Sequence, residues 1–343
     1  MIQLPLLLSL SFAGFGSPDT QEPEPAETKP ASELETYLSW LPAGTEALMV
    51  SQTPFLLPDG PQEKADKAIV SQSIRLLSVL TTLNEKSAPW AAPGLEVHTS
   101  ILALRDIHLS KGAEVNSATL LGVARYSQPV HAPAEPFEVE LGASTRAKCR
   151  SDSIAGEDVW VIERWAPKDL NTPATATFFF LDGDLLLWAM ARDDLETMIR
   201  RRANPDAEGP ARRFADLRDQ LPAGAEAWAV RRFDPTDAAR DPSSPLPAVD
   251  FQTRKLASHV DAAAVGIAYW GDEEKDQLVL HYLTADPAAA ERMAEQWTLP
   301  HQGLETHQTQ VEEGVFELRM TATQDSRFLF YPVMVLIGFA VFP

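Results

Sequence analysis

Cysteine is nearly absent: the 343-residue chain has one, Cys149. A lone cysteine closes no intrachain disulfide, so stability has to come from packing. It sits between Lys148 and Arg150 in TRAKCRSD, where cations can favour a thiolate. With no histidine beside it in the sequence, the expectation is a structural thiol. Positive charge is scarce as well. Lys and Arg number 29 against 49 Asp and Glu, a formal charge of -20. Such a field repels phosphates, which excludes nucleic acid as a partner on charge grounds. The one dense basic run, Arg200 to Arg202, ends a predicted helix, where cations complement the macrodipole.

Catalytic signatures are missing too. There is no GxxxxGK[ST] loop, no GxGxxG after a strand, no HExxH, no CxxC and no GxSxG. Each would position a particular chemistry: a phosphate cradle, a zinc ion or a nucleophile elbow. Without them no cofactor is expected. Long apolar runs are also lacking. Phe328 to Pro343 (FLFYPVMVLIGFAVFP) carries no charge, but as a helix it would extend only about 24 Å against a hydrocarbon core of about 30 Å. Its Val, Ile and Phe content, broken by Pro332 and Gly338, favours buried strands; a short membrane anchor is the alternative, and membrane contact through this segment stays open.

What is present begins with 45% hydrophobic residues, the content of a globular protein long enough for two domains. The N-terminus, MIQLPLLLSLSFAGFGSPDTQ, has the apolar length and small residues of a signal peptide, without a basic residue ahead of the run. The reading is a signal peptide over 1–17 and a disordered Pro/Glu-rich spacer over 18–36. A first lobe then covers 37–203, a linker 204–216 and a second lobe 217–343. The product is expected to be exported, periplasmic or extracellular.

One phrase is written twice. LPAGTEALMV (Leu41 to Val50) returns as LPAGAEAWAV (Leu221 to Val230), with seven of ten positions identical. Leu-Pro-Ala-Gly suits a type I turn with Pro second and Gly fourth, leading into a strand. Other elements follow from pattern. Thr175 to Leu181 and Leu185 to Ala191 read as a hairpin about Asp182-Gly183. A helix with Asp193 as N-cap follows, presenting Leu195, Met198 and Ile199. Gln277 to Thr284 reads as a strand, and helices are expected at Gln62 to Leu83 and after Asp286. Strands close together with helices interspersed imply an α+β fold: antiparallel sheets with helices on one face, in two related lobes. The duplicated opening, after a signal and a Pro/Glu spacer, resembles exported bacterial proteins with an LP-x-x-T/A-x-A start to the folded region. The resemblance covers that opening in its two copies, and no function or residue is carried over from it.

Three features bear on chemistry. HQGLETH brings His301, Glu305 and His307 into one segment; imidazole and carboxylate are zinc donors, although a spacing of six does not align the histidines on a helix, and a solvated polar loop is the plainer reading. LDGDL (Asp182, Asp184) is read as a hairpin turn, since a calcium loop needs more oxygen ligands. Trp90, in the loop SAPWAAPG, is the candidate anchor for a partner. The leading expectation is a non-catalytic binding or interaction module of the cell envelope, its partner a protein or envelope component. A cleft between the lobes would be its site. The alternative is an extracytoplasmic hydrolase or metal-dependent enzyme.

Overall fold

The computed structural model describes residues 32–52, 55–56, 96–108, 117–141, 145–165, 175–204, 210–221, 225, 227–232, 262–269, 275–284, 288 and 304–323. The expected signal peptide, Trp90, His301, the helices expected at 62–83 and after Asp286, and the apolar run 328–343 lie outside the described residues.

Among the described residues, three helices and fourteen strands follow in the order α1 (Glu33–Trp40), β1 (Thr45–Ser51), β2 (Phe55–Leu56), β3 (Glu96–His108), β4 (Ser117–Tyr126), β5 (Phe137–Leu141), β6 (Thr145–Ile154), β7 (Glu157–Trp165), β8 (Thr175–Asp182), β9 (Leu185–Ala189), α2 (Arg192–Ala203), α3 (Pro210–Asp219), β10 (Ala227–Arg232), β11 (Ala262–Tyr269), β12 (Lys275–Leu283), β13 (Leu304–Glu312) and β14 (Val315–Thr323). Antiparallel sheet therefore dominates and helices are few. The strands form one sheet in the order β13-β14-β12-β11-β10-β1-β3-β4-β9-β8-β7-β6-β5, with β2 beside β3.

The two copies of the repeated phrase lie side by side in this sheet. β1 pairs antiparallel with β10: Ala47 faces Arg231, Leu48 Val230, Met49 Ala229, Val50 Trp228 and Ser51 Ala227. The phrases begin at Leu41 and Leu221, 180 positions apart, so Met49 faces its own counterpart. Leu48 faces the counterpart of Val50, and Val50 that of Leu48. Exchanging the copies maps the ladder onto itself, as about a two-fold axis between Met49 and Ala229. The halves thus meet in a hydrogen-bonded seam of paired strands, where sequence reasoning expected a cleft.

The same strand order runs outward from the seam on both sides: β1-β3-β4-β9-β8 on one, β10-β11-β12-β14-β13 on the other. Local details recur at matching places. The helix before each seam strand ends alike, with the Leu41 N–H donating to the Leu38 carbonyl (3.3 Å) and the Leu221 N–H to the Arg218 carbonyl (3.1 Å). The third strand of each half is tied to the closing hairpin turn: Tyr126 N–H donates to the Asp184 carbonyl at 2.8 Å, Thr284 N–H to the Gly314 carbonyl at 2.9 Å. Both hairpin turns carry a glycine with positive φ, Gly183 at 61° and Gly314 at 75°, a conformation glycine adopts at no steric cost. The first half adds β5, β6 and β7 beyond β8.

One core cluster joins all three helices to one sheet face. Leu34 and Leu38 of α1, Leu195 and Met198 of α2, and Phe214 and Leu217 of α3 pack with Leu48, Val50, Ile101, Val123, Leu187, Trp228 and Val230. Each such side chain, fully buried, stabilises the fold by about 1.5–3 kcal/mol. The opposite face is buried as well, at Met49, Leu102, Trp188 and Ala229. Burial on both faces explains why ALMV, ILAL and LLLWA read as continuous apolar runs with no alternation.

Several local expectations shift. The turn after Leu41 begins one residue later than predicted: Thr45 donates its N–H (3.1 Å) and its hydroxyl (2.8 Å) to the Pro42 carbonyl. The threonine side chain doubles the closing bond and sets the register. The helix after β9 has Ala191, not Asp193, as N-cap; Asp193 and Asp194 stand in its first turn, where carboxylates complement the macrodipole, and Asp194 pairs with Arg105. Asp194, in the first turn of α2, is 1% exposed. Residues expected as linker include α3, whose Phe214 and Leu217 are buried and whose first residue, Pro210, suits a helix start. Residues expected as spacer include the start of α1, closed by a capping box: Glu35 N–H donates to Ser32 Oγ (3.2 Å), and Ser32 N–H to Glu35 Oε2 (2.8 Å).

Candidate functional site

A cluster of polar residues on the second-half side of the seam lies on β12, β14 and β13. Facing residues of antiparallel strands project from the same side of the sheet. His281 faces Glu317, which faces Thr309; Val279 faces Arg319, which faces His307; Glu305 faces Thr321. One face of this corner therefore carries His281, Glu317, Arg319, Thr309, His307 and Glu305. Exposure rises toward the edge. The side chains of His281, Glu317 and Arg319 are 5%, 14% and 43% exposed, while Thr309, His307 and Glu305 on β13 are exposed.

Glu317 is the hub. Its Oε2 lies 2.8 Å from His281 Nε2, and its Oε1 accepts from Arg319 Nε at 2.8 Å. Burial, the largest single influence, pushes the carboxyl up. Hydrogen bonds from Arg319 and His281, together with electrostatic attraction to both, outweigh it, and the net shift is downward. The carboxylate is thus held ionised, as such bonds favour the charged form. His281 Nδ1 is buried and, among the described residues, meets no hydrogen-bond partner. A carboxylate on one ring nitrogen and an unengaged second nitrogen is how an imidazole is oriented for proton transfer.

This corner has a counterpart in the first half, and the counterpart is apolar. Aligning the two halves on the Tyr126–Asp184 and Thr284–Gly314 bonds places His281 where the first half has Val123, Glu317 where it has Leu187, and Arg319 where it has Ala189. All three first-half residues are buried. The same architectural position is filled with hydrocarbon in one half and with a hydrogen-bonded charged network in the other. A network of this kind costs desolvation that a Val–Leu–Ala set does not.

Of the residues singled out from sequence, Glu305 and His307 are two apart on an edge strand, not in a loop, and so share a face. Both are exposed, facing Thr321 and Arg319 of β14. Among the described residues no group of three or more His, Cys, Asp or Glu side chains converges as a metal site. Asp182 pairs with Arg202, and Asp184 with Arg125 at 3.0 Å, so the LDGDL carboxylates face guanidinium groups across a hairpin turn. Cys149 is buried, and burial pushes its thiol up to about 12, in keeping with a structural role. His281, Glu317 and Arg319 were missed by sequence reading. The signal was a lone His in the apolar strand LVLHYL and a Glu-x-Arg pair in VFELRM, each bland until the strands are paired.

A further ion pair joins half-buried Arg105 to buried Asp194. Burial, with the neighbouring Asp106 and Asp193 carboxylates, raises the Asp194 carboxyl against the lowering by Arg105, and its Oδ2 meets no hydrogen-bond partner among the described residues. Its place between α2 and β3 fits a tie between helix and sheet. Compared with protein-family models, curated proteins and solved structures, the chain matches none.

Proposed function

We propose that the chain is an exported protein of the cell envelope, built by internal duplication, that works by binding. Its contact surface is the polar corner of β12, β14 and β13, and its partner is a protein or envelope component. The observation that carries this reading is the contrast between His281–Glu317–Arg319 and the buried Val123, Leu187 and Ala189 at the matching positions. Two halves with one strand order need the same core. A half that carries charge where the other carries hydrocarbon has given up stability for a surface the first half lacks. The duplication reading draws support from the symmetric seam register and the matched helix ends. The whole-chain arrangement with helices on one face draws support from the shared cluster of α1, α2 and α3.

Fractionation of a tagged chain in its native cell, with the mature N-terminus determined, tests the envelope reading. A product outside the cytoplasm starting between Gly14 and Pro18 is the expected result, and an uncleaved cytoplasmic chain would sink it. The surface is tested by crosslinking the exported chain in the intact envelope. Products should be lost in Glu305→Ala/His307→Ala/Thr309→Ala and kept in variants on the LDGDL turn.

A second reading is an extracytoplasmic hydrolase. One observation favours it: the His281 ring is held by Glu317, and its Nδ1 meets no partner among the described residues. It requires turnover of a chromogenic ester, phosphoester or glycoside that His281→Ala abolishes and whose pH profile moves in Glu317→Gln. Turnover equal in His281→Ala and the natural chain would dispose of it.

A further inference from the structure

Met49 and Ala229 sit opposite each other at the centre of the β1–β10 seam, and each is the other's counterpart in the repeated phrase. A ladder of this register is self-complementary in the manner of a two-fold interface between identical subunits. The backbone register that β1 presents to β10 is the one that β10 presents to β1, with the same side chain at Ala47/Ala227 and at Val50/Val230. Nothing in the pairing depends on the two strands belonging to one chain. A single connection links the halves, NPDAEG between α2 and α3, with a proline near one end and a glycine at the other. The α1–α3 packing and the Glu35–Arg218 pair at 3.8 Å cross the same boundary. A seam strand without a partner would expose Leu48 and Val50, or Trp228 and Val230, all buried.

We propose that the seam takes a second copy of this chain as partner: β1 of one copy pairs with β10 of the other, and the reverse, in a dimer closed by exchange. Both seams of that dimer reproduce the register of the single chain, and the α1–α3 contact is remade with them. The residues at the axis select exchange over like-with-like pairing. Exchange sets Met49 against Ala229, one large and one small side chain. Like-with-like pairing sets Met49 against Met49, which overpacks, or Ala229 against Ala229, which leaves a void.

Residues facing each other in an antiparallel pair have Cα atoms about 4.5–5.5 Å apart, within the reach of a disulfide at about 4.4–6.8 Å. The test is the full chain with Met49→Cys and Ala229→Cys in a Cys149→Ala background, refolded under mild oxidation at two concentrations tenfold apart. A covalent dimer is expected on a non-reducing gel, its ratio to monomer rising about tenfold between the two concentrations by mass action. Met49→Cys alone and Ala229→Cys alone should give none. The proposal fails if the double variant forms only intrachain bonds at both concentrations, or if the single variants crosslink equally. The natural chain, refolded at the same two concentrations and sized by light scattering, guards against a variant that misfolds. A species of twice 37.7 kDa that grows with concentration is expected, and monomer alone at both would overturn the proposal.

Discussion

Gly122 offers the sharpest test of the packing. It lies in β4 between Leu102 of β3 and Trp188 of β9. A Cβ at this position would fall 2.3 Å from the Ile101 carbonyl oxygen, 2.5 Å from Trp188 Nε1 and 2.8 Å from Trp188 Cε2. Two structures must then give way. The indole is buried at 2% exposure with nowhere open to swing, and the carbonyl belongs to the backbone of β3 itself. Overpacking that only side chains absorb costs about 1–3 kcal/mol. With a backbone carbonyl involved, Gly122→Ala is expected to cost about 3 kcal/mol, the top of that range, which lowers the melting temperature by about 6–12 °C at about 2–4 °C per kcal/mol. Gly44→Ala is the control. No atom lies within 4 Å of its would-be Cβ, so its effect should stay within about 0.5 kcal/mol. Urea titration and a thermal melt of both variants against the natural chain supply the numbers. A Gly122→Ala variant as stable as Gly44→Ala would refute the close contact of Trp188 with β4. Trp188→Leu added to Gly122→Ala should recover part of the loss, since it relieves the indole clash and leaves the carbonyl clash in place.

Three further outcomes follow from named residues. Glu317 is held below its ordinary value, so its ionised form contributes stability above the unfolded carboxylate range and loses it as pH falls through the folded value; the stability gap between the natural chain and Glu317→Gln, by urea titration, should narrow as pH falls below the ordinary carboxylate range, and a gap that stays unchanged down to pH 3 would contradict the ionised hub. Glu305→Ala and His307→Ala change exposed edge-strand residues and should each alter stability by less than about 0.5 kcal/mol. Chelator should leave the melting temperature unmoved, whereas a drop on adding it would support the zinc reading of His301, Glu305 and His307. Cys149, with its thiol pushed up to about 12 by burial, should ignore a thiol reagent at pH 8 until the chain unfolds; prompt labelling of the native chain would show it accessible.

How much of this could be read from the letters depends on what constrains each strand. The two seam strands, though not their pairing, were visible as a repeated phrase because β1 and β10 are buried on both faces. Few side chains fit a double-sided core, so Ala-x-x-Val survives in both copies while Leu48 and Trp228, or Met49 and Ala229, trade volume across the axis. The hairpin about Gly183 was legible for a similar reason: two apolar strands flanking a residue that must adopt positive φ leave a strong local mark. The capping box Ser32-x-x-Glu35 was equally local and went unread because the acidic spacer before it masked the change of character. The antiparallel character of the sheet was legible, but its single continuous order was not, since pairing is decided by contacts far apart in sequence. The matching of β4 with β12 and of β9 with β14 leaves no trace in the letters. Val123 answers to His281 and Leu187 to Glu317, residue pairs that share a pleat and nothing else. That divergence is informative in itself. A backbone position that tolerates both a buried valine and a buried histidine is specified by the ladder around it, so the side chain there is free to be chosen for something other than folding. The corner of β12 and β14 is where the second half has used that freedom.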